Sequence, residues 1–564
     1  MSFLAELKRR KVFQAAGVYA IVAWLLIQVA DVLLPTYGAP GWVMPVFTSA
    51  VILGFPLAVT LAWFFDLTSS GPVRTPDARK SMLGTAGTSA QKGVQLNKSV
   101  VVIPFRNMSS DPENEYFVDG LTEEIIADLS KISGLRVISR NSAMRLKATD
   151  RDLQSIAEEL SVKYALDGSV RKESNAIRVT AQLVDIDTDR QLWGDKFTGE
   201  LSDVFGIQEQ ISFAIADALK IQLSDDDAAS LEQHDIVDLR AYDCYMKARY
   251  EYGKFSAEGG ERSIRYLKQA LELDTDNLVL HVAIGWAYLN YASAAIGAEV
   301  HEEFLGKAEH HARIVLENAP DSADGNGLLG MILYDRFDTL EGLRLLRKGA
   351  NTAGRGLDTL IWAAFCYSMC GQAETARPWV EELASIDPLH GFSQWAVGWC
   401  YLMQGDFQAA ETYIRHSLEV EPKAPNVRTG LAILLVFSDR RQEAIDILAA
   451  GQPDASQQDV WSIVGNVFYE MLSENPDAAL RLISDELKRD AKTDMFYSWL
   501  LADCYAMLGQ KEEAIDWLEN AVRGGFWNYQ FFRHIDPMLS NLRDLDSFDK
   551  LMSETREKWR SIKT

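Results

Sequence analysis

A 34-residue step runs through the second half of the chain and leaves little freedom in what it can fold into. Ala376, Ala410 and Ala444 stand one step apart, as do Ala364, Gly398 and Ala432, and Tyr367, Tyr401 and Leu435. Gly371 to Gly405 and Pro388 to Pro422 keep the same step, and Pro320 lies two steps before Pro388. A fixed period of this length means one supersecondary unit repeated and stacked, because a single unit cannot bury its own apolar face. The small residues let two antiparallel helices approach closely, the aromatic or leucine fills the gap, and Pro ends the second helix. The expected architecture is an α-helical solenoid.

The order small residue, aromatic, turn, Ala, Pro is that of the tetratricopeptide repeat. Trp461-Ser-Ile-Val-Gly-Asn-Val-Phe468 follows its fuller W-x-x-L-G-x-x-Y form. About eight repeats are expected over residues 239–528, beginning near residues 240, 278, 323, 357, 391, 425, 458 and 495. The second carries an insertion of about 11 residues around Ala292 to Phe304. Residues 529–564 read as capping helices for the open end of the stack.

The N-terminus differs. Val12 to Leu34 is an apolar run of 23 residues whose single charge is Asp31, and Trp42 to Phe65 is an uncharged run of 24. Either is long enough to cross ~30 Å of hydrocarbon as a helix. A cleaved signal peptide is the alternative, since Lys8-Arg9-Arg10-Lys11 precedes the first run. The run exceeds the usual h-region, however, and a second follows at once. Residues 1–66 are therefore expected to form a basic segment and two transmembrane helices, with residues 67–97 as a linker rich in Ser, Thr, Gly and Ala. Basic residues flank the pair while the connector Pro35–Gly41 has none. This orientation puts the soluble domains on the cytoplasmic face of a bacterial inner membrane, as a multi-pass protein. Five cysteines, an odd number widely scattered, fit a reducing compartment.

The formal net charge of −24 is uneven: the first 97 residues carry +4, leaving −28 for the rest. A body that acidic repels phosphate backbones, so nucleic acid is not an expected partner.

Between linker and repeats, residues 98–225 mix strands and helices. Ser99-Val-Val-Val-Ile-Pro-Phe105 reads as a buried strand, and Leu121, Ile125, Ile126, Leu129 and Ile132 share one helical face with Asp119 in N-cap position. Tyr164 to Val170 and Ile177 to Val184 read as a hairpin, Leu192 to Phe197 as a further strand, and Val204 to Leu223 as an amphipathic helix. Ser99 to Phe105, Tyr116-Phe-Val-Asp-Gly-Leu-Thr-Glu-Glu-Ile-Ile-Ala-Asp-Leu129, Gly134-Leu-Arg-Val-Ile-Ser-Arg-Asn-Ser142, Leu166-Asp-Gly-Ser-Val-Arg171 and Leu192-Trp-Gly-Asp-Lys-Phe197 closely resemble the TolB amino-terminal-like (FlgO-like) domain. In bacteria that module often sits between a membrane anchor and tetratricopeptide repeats, sometimes behind a nucleotide cyclase or a winged-helix regulator; neither output domain is present in this sequence. The resemblance supplies no ligand. Asn107, Asp119, Arg140, Asn141 and Arg171 lie at element ends, where α/β ligand sites gather; the alternative is that they are caps, turns and surface salt links.

Chemical motifs are few. Gly325-Asn-Gly-Leu-Leu-Gly330 matches GxGxxG but lies inside a repeat helix with no strand before it. His301-Glu-Glu-Phe-Leu305 has Leu where a second zinc ligand must stand. Cys366 and Cys370, four apart on a helix, occupy positions that take small apolar residues. No catalytic residue, metal site or cofactor is expected. The first helix of each repeat is expected to line a concave groove, with Phe365, Phe392, Trp395, Trp399 and Trp499 pointing into it. Such a groove suits an apolar peptide or amphipathic helix; the alternative is that the superhelix or the α/β domain buries these rings.

The chain is thus expected to be multidomain: a transmembrane helical hairpin, a small α/β domain and an all-α tetratricopeptide-repeat solenoid. Its expected role is a non-catalytic scaffold or signalling adaptor, anchored in a membrane and binding a protein or peptide partner. The alternative role is a ligand-sensing subunit acting with a separate cyclase or transcriptional regulator. The sequence does not name the oligomeric state.

Overall fold

The computed structural model describes residues 98–147, 153–221, 223–224, 228, 231, 236, 238–252, 257–294, 298–451 and 460–562, with residues 30, 48, 65–68 and 71–74 nearer the N-terminus. The chain divides into two compact units, Met1–Val94 and Gln95–Thr564.

In the first unit β1 (Phe65–Thr68) pairs antiparallel with β2 (Gly71–Arg74), Phe65 opposite Arg74. The strand begins at Phe65, the residue that closes the second apolar run, and β2 lies in the stretch read as linker. Among the described residues no helix is long and apolar enough to cross a membrane. This finding corrects the expected transmembrane hairpin and the multi-pass inner-membrane placement that rested on it. Apart from Ala30, Thr48 and Phe65, both apolar runs lie outside the described residues.

The second unit opens with a six-stranded sheet. In chain order come β3 (Ser99–Val102), β4 (Arg106–Asn107), α1 (Glu115–Lys131), β5 (Arg136–Val137), α2 (Arg140–Met144), α3 (Leu153–Leu160), β6 (Tyr164–Glu173), β7 (Ala176–Asp185), β8 (Arg190–Glu200) and α4 (Val204–Ala218). The sheet runs β5-β3-β6-β7-β8, with β4 also beside β6. β3 is parallel to both neighbours and buried along its length, which is why its sequence is an unbroken run of valines after Ser99. From β6 to β8 the ladder is antiparallel, and β7 alternates, burying Ile177, Val179, Ala181 and Leu183. α1 lays Val118, Leu121, Ile125 and Leu129 into the core. It begins at Glu115, so Asp119 sits inside the helix rather than at its cap.

Eight helix pairs follow: α5 (Leu239–Tyr252) with α6 (Ala257–Leu273), α7 (Leu278–Ala294) with α8 (Ala298–Asn318), α9 (Ala323–Asp335) with α10 (Thr339–Asn351), and α11 (Leu357–Met369) with α12 (Ala373–Ile386). Then come α13 (Gly391–Leu402) with α14 (Phe407–Val420), α15 (Pro425–Phe437) with α16 (Arg441–Ala449), α17 (Val460–Leu472) with α18 (Pro476–Leu482) and α19 (Asp485–Ala491), and α20 (Met495–Met507) with α21 (Lys511–Arg523). The close approach demanded by the small residues is visible between α9 and α10. A Cβ at Gly330 would lie 2.7 Å from the Leu346 nitrogen, and one at Gly342 would lie 2.7 Å from the Tyr334 nitrogen. The first helix of each of the last six pairs is followed by a left-handed residue: Phe337, Gly371, Gly405, Asp439, Glu474 and Gly509. That conformation turns the chain sharply back along itself and suits glycine best.

Beyond α21 the chain crosses the ends of earlier helices and supplies donors to their orphan carbonyls. The Asn528 amide donates to Met403 O (3.0 Å), the Trp559 indole to Gly371 O (3.1 Å) and the Asn541 amide to Ala506 O (2.7 Å). A single π-helical turn, Phe531–Ile535, buries Phe531 and Phe532, and α22 (Asp546–Ser561) is the last described helix.

The α/β domain is seated on the repeats through polar contacts. Arg136 donates to Ser385 O (2.8 Å), Ser139 N to Ile386 O (2.7 Å), and Arg145 pairs with Glu421 (2.9 Å). Asp387, fully buried, accepts from the Ser142 hydroxyl (2.8 Å) and from Ser139, and the Ser142 oxygen accepts from Leu389 N (2.9 Å). At the other end Glu123 lies between Arg140 (2.7 Å) and Arg249 of α5 (2.5 Å).

Candidate functional site

The first helices of the later repeats carry a cluster of aromatic rings. The Trp395 ring stacks on Phe365 (5.9 Å between centroids) and Phe392 (5.5 Å) and meets Trp461 edge-on (5.7 Å). Trp399 contacts Phe496 (4.9 Å) and Trp499 (5.8 Å). α13 of the fifth pair therefore touches α20 of the eighth, so repeats distant in sequence pack against each other.

This placement corrects the reading of an open groove at these positions. Trp395 is 6% exposed, Phe365 7%, and Trp399 and Trp499 are fully buried. The Trp499 indole donates to the Asp536 carboxylate (2.9 Å), and Phe526 (5.6 Å) and Phe531 (5.4 Å) meet its ring in T-shaped contacts. The rings are core, enclosed by α20 and by the segment after α21. Phe392 alone among the five stays partly exposed, in company with Trp362, Trp461 and Tyr497. Sequence reasoning does not single out these three, although Trp461 stands at the head of its repeat in the most recognisable motif of the chain.

Near Trp499 the core holds two carboxyl groups. Asp503 and Asp536 are both fully buried. Burial, then the neighbouring carboxyl, holds Asp503 well above the usual carboxylate range; burial pushes Asp536 up to about 6 despite the Trp499 and Met538 N–H groups that favour its charge. Neither oxygen of Asp503 has a hydrogen-bond partner among the described residues, so its charged form is left unsupported in the core.

The α/β residues considered for ligand binding serve the protein itself. The Asn107 side chain accepts from Ser109 N (2.9 Å) and closes a local turn. Arg171 donates to Met108 O (3.1 Å). Asp119 pairs with Lys147 and is held above the usual range by burial. Arg140 is spent on Glu123, whose burial would raise its pKa but whose two arginines bring it below the usual value. These contacts are a local turn, a side chain to backbone hydrogen bond and salt links within the fold. Gly330 is a helix-crossing residue, and His301 pairs with Asp335 (2.9 Å), which with Ala292 O pushes it up to about 9 against its burial. All five cysteines are free thiols.

Comparison with known proteins agrees with the helix pairs. Residues 401–467 and 472–525 each match a tetratricopeptide-repeat family profile, and the chain carries tetratricopeptide repeats. Residues 96–212 match the second domain of HilA/YgeH-like transcriptional regulators. A curated relative, putative adenylate cyclase 3 of Rhizobium meliloti (strain 1021), is 39% identical over 186 residues, 33% of this chain. The match spans about a third (32%) of that relative's length. Among solved structures, a tetratricopeptide repeat protein from Parabacteroides merdae is 16% identical over 48% of this chain and 98% of its own, with a TM-score of 0.31. TolB from Acinetobacter baumannii is 20% identical over 23% of this chain and 29% of its own, with a TM-score of 0.18. Scores this low carry no functional argument, and the TolB-like character of the α/β domain has weak structural support.

Proposed function

We propose that this chain is a non-catalytic adaptor in signalling whose repeats hold a protein partner while the α/β domain docks or senses. Tetratricopeptide repeats fit binding of peptides and proteins, and the coarse role of interaction scaffold follows from them. The observation that supports a particular place is the row of partly exposed rings Trp362, Phe392, Trp461 and Tyr497. Trp362 meets Phe392 (6.1 Å) and Trp461 meets Tyr497 (5.7 Å), with Trp395 beneath, so the four rim one continuous aromatic floor. Rings that are half buried and rigidly backed make good anchors for a partner's apolar side chain. The test replaces Trp461 and Tyr497 with Ser in the full chain and compares what wild type and variant capture. Loss of a specific partner at unchanged melting temperature supports the reading, with a cost of about 2 kcal/mol or more, roughly 30-fold in Kd. Unchanged capture sinks it.

A second reading is suggested by the 39% identity, over 186 residues, to the relative named putative adenylate cyclase 3. In it the α/β domain senses a small molecule and the chain acts with a separate cyclase. Co-expression with a bacterial adenylate cyclase and measurement of cyclic nucleotide output, with and without this chain, tests it; equal output ends the idea.

A further inference from the structure

β8 is the last strand of its sheet: it pairs with β7 on one side, and no described strand pairs with its other edge. An exposed edge of 11 residues offers a row of backbone donors and acceptors, which proteins usually blunt. Here the bulge opposite Leu183 and Val184 disturbs only its first residues. Two of its N–H groups, at Lys196 and Glu200, donate to the carboxylates of Asp195 and Asp203 (2.7 Å each). Side chains stand there in place of a neighbouring strand.

The two faces beside that edge are unlike. On the core face Leu183 lies opposite Trp193 and Val179 opposite Phe197; both rings are only partly buried, 6.3 Å apart, with Asp195 between them. On the outer face Ile156 and Leu160 of α3 pack with Val101 and Ala165, so the helix covers β3 and the start of β6. Beyond that cover Arg106, Arg171, Arg178, Lys196, Thr180 and Thr198 stand exposed on one face. Arg171 and Arg178 are directly opposite each other, a like-charge pair that weakens a ladder. The acids of this face lie at its margins: Asp167 beside Arg106 (3.6 Å), and Glu173 and Glu200 at the far end. Among the described residues neither Arg178 nor Lys196 forms an ion pair. In so acidic a chain, a cationic strip along an unpaired strand edge suits an anionic neighbour.

We propose that β8 accepts an extended peptide as a further strand, one whose residues alternate acidic and apolar. Its backbone pairs with the β8 edge. Its apolar side chains lie against Trp193 and Phe197, and its acidic ones meet Lys196, with Arg178 one strand further in. Alternation with a period of two is what unlike faces require of any strand laid beside them. A nucleic acid has phosphates for the cations but no peptide groups for the edge. A second copy has the peptide groups but the wrong charges, since a two-fold pairing of β8 with itself sets cation beside cation on the outer face. The surface lies on the α/β domain and needs nothing of the aromatic rim on the repeats, so it goes beyond the scaffold reading and does not rest on it.

The test titrates the full chain into a short dye-labelled peptide alternating Val and Glu and reads fluorescence anisotropy. The comparison peptides alternate Val and Lys, or hold the same Val and Glu in two blocks, or alternate Val and Glu with every Val nitrogen or every Glu nitrogen methylated. Binding of the alternating Val and Glu peptide, weakened by salt and absent for the Lys and block peptides, is the expected result. Of the two methylated peptides one should lose about tenfold or more in affinity and the other keep it, because a strand bonds its neighbour through every second residue. Lys196→Glu and Arg178→Glu, both at exposed positions, should each weaken binding about tenfold or more. No binding, equal binding of the Lys peptide, or the same response to both methylations overturns the proposal. A dimer in sedimentation that excludes the peptide overturns it too, since a second copy then holds the edge. Should a variant fail to fold, the peptide comparisons on the wild-type chain decide alone.

Discussion

Replacing Asp503 with asparagine should remove a pH dependence that the wild-type chain carries in its core. In the unfolded chain an aspartate titrates near 4; in the fold Asp536 is pushed up to about 6 and Asp503 is held well above the usual range. Both folded values are raised, so the native state holds protons that the unfolded state has released. Stability is therefore fully present below pH ~4 and is lost as pH rises, by about 1.4 kcal/mol per unit for each group still protonated only in the fold. From pH 4 to pH 6 Asp536 alone loses roughly 3 kcal/mol. Above pH 6 the remaining loss is Asp503's. An asparagine side chain at this position keeps the size and offers an N–H to Asp536, but it has no proton to lose, and it removes the neighbour's charge. Urea unfolding of wild type and Asp503→Asn from pH 5.5 to pH 9 measures the difference. The wild type should lose stability more steeply, and the gap between the two should move in favour of the variant as pH rises. Parallel curves would refute the reading that Asp503 is held protonated by its burial.

Further outcomes follow from packing and backbone. The double variant Trp395→Ala, Trp399→Ala removes two buried indoles, at about 3–5 kcal/mol each before coupling, so its melting temperature should fall by many degrees; a fall of a degree or less would mean the rings are not core. Gly342→Ala presses a methyl into the backbone of α9 and should cost about 1–3 kcal/mol in chemical denaturation, where an ordinary helix glycine would gain from the same change. Glu474 stands left-handed at φ 65° with an exposed side chain, so Glu474→Gly should stabilise by about 1 kcal/mol; a loss would show that its 3.5 Å contact with Arg441 outweighs the strain.

The repeats are legible because their period is a packing requirement. Ala364, Gly398 and Ala432 must be small wherever two helices cross, and that rule leaves its mark at fixed intervals. The run of valines in β3 is legible for a similar reason, since a strand covered on both faces has no polar side to show. What escapes is set by contacts distant in sequence. Nothing near Trp399 announces that Phe496, some hundred residues later, will lie against it, and so a ring at a groove position reads as surface. Asp119 looks like a helix cap because the apolar face of α1 begins at Leu121, but the helix starts with residues whose partners lie elsewhere. The transmembrane reading rests on apolar length alone, and length does not distinguish a membrane span from other uses of an apolar run.

A helical solenoid ordinarily behaves as a spring. Each repeat touches only its neighbours, small rotations add along the stack, and the ends fray independently. Two fastenings change that here. The α/β domain grips α5 through Glu123 and Arg249 and, by Ser142 and Asp387, the joint between α12 and α13, while Phe496 and Trp499 fasten the eighth pair to the fifth. A coil fastened at both ends to its own middle cannot lengthen one repeat at a time. It should unfold in a single transition, with amide exchange in the first and last repeats nearly as slow as in the fourth and fifth, and its curvature should be a fixed property rather than one set by whatever it binds.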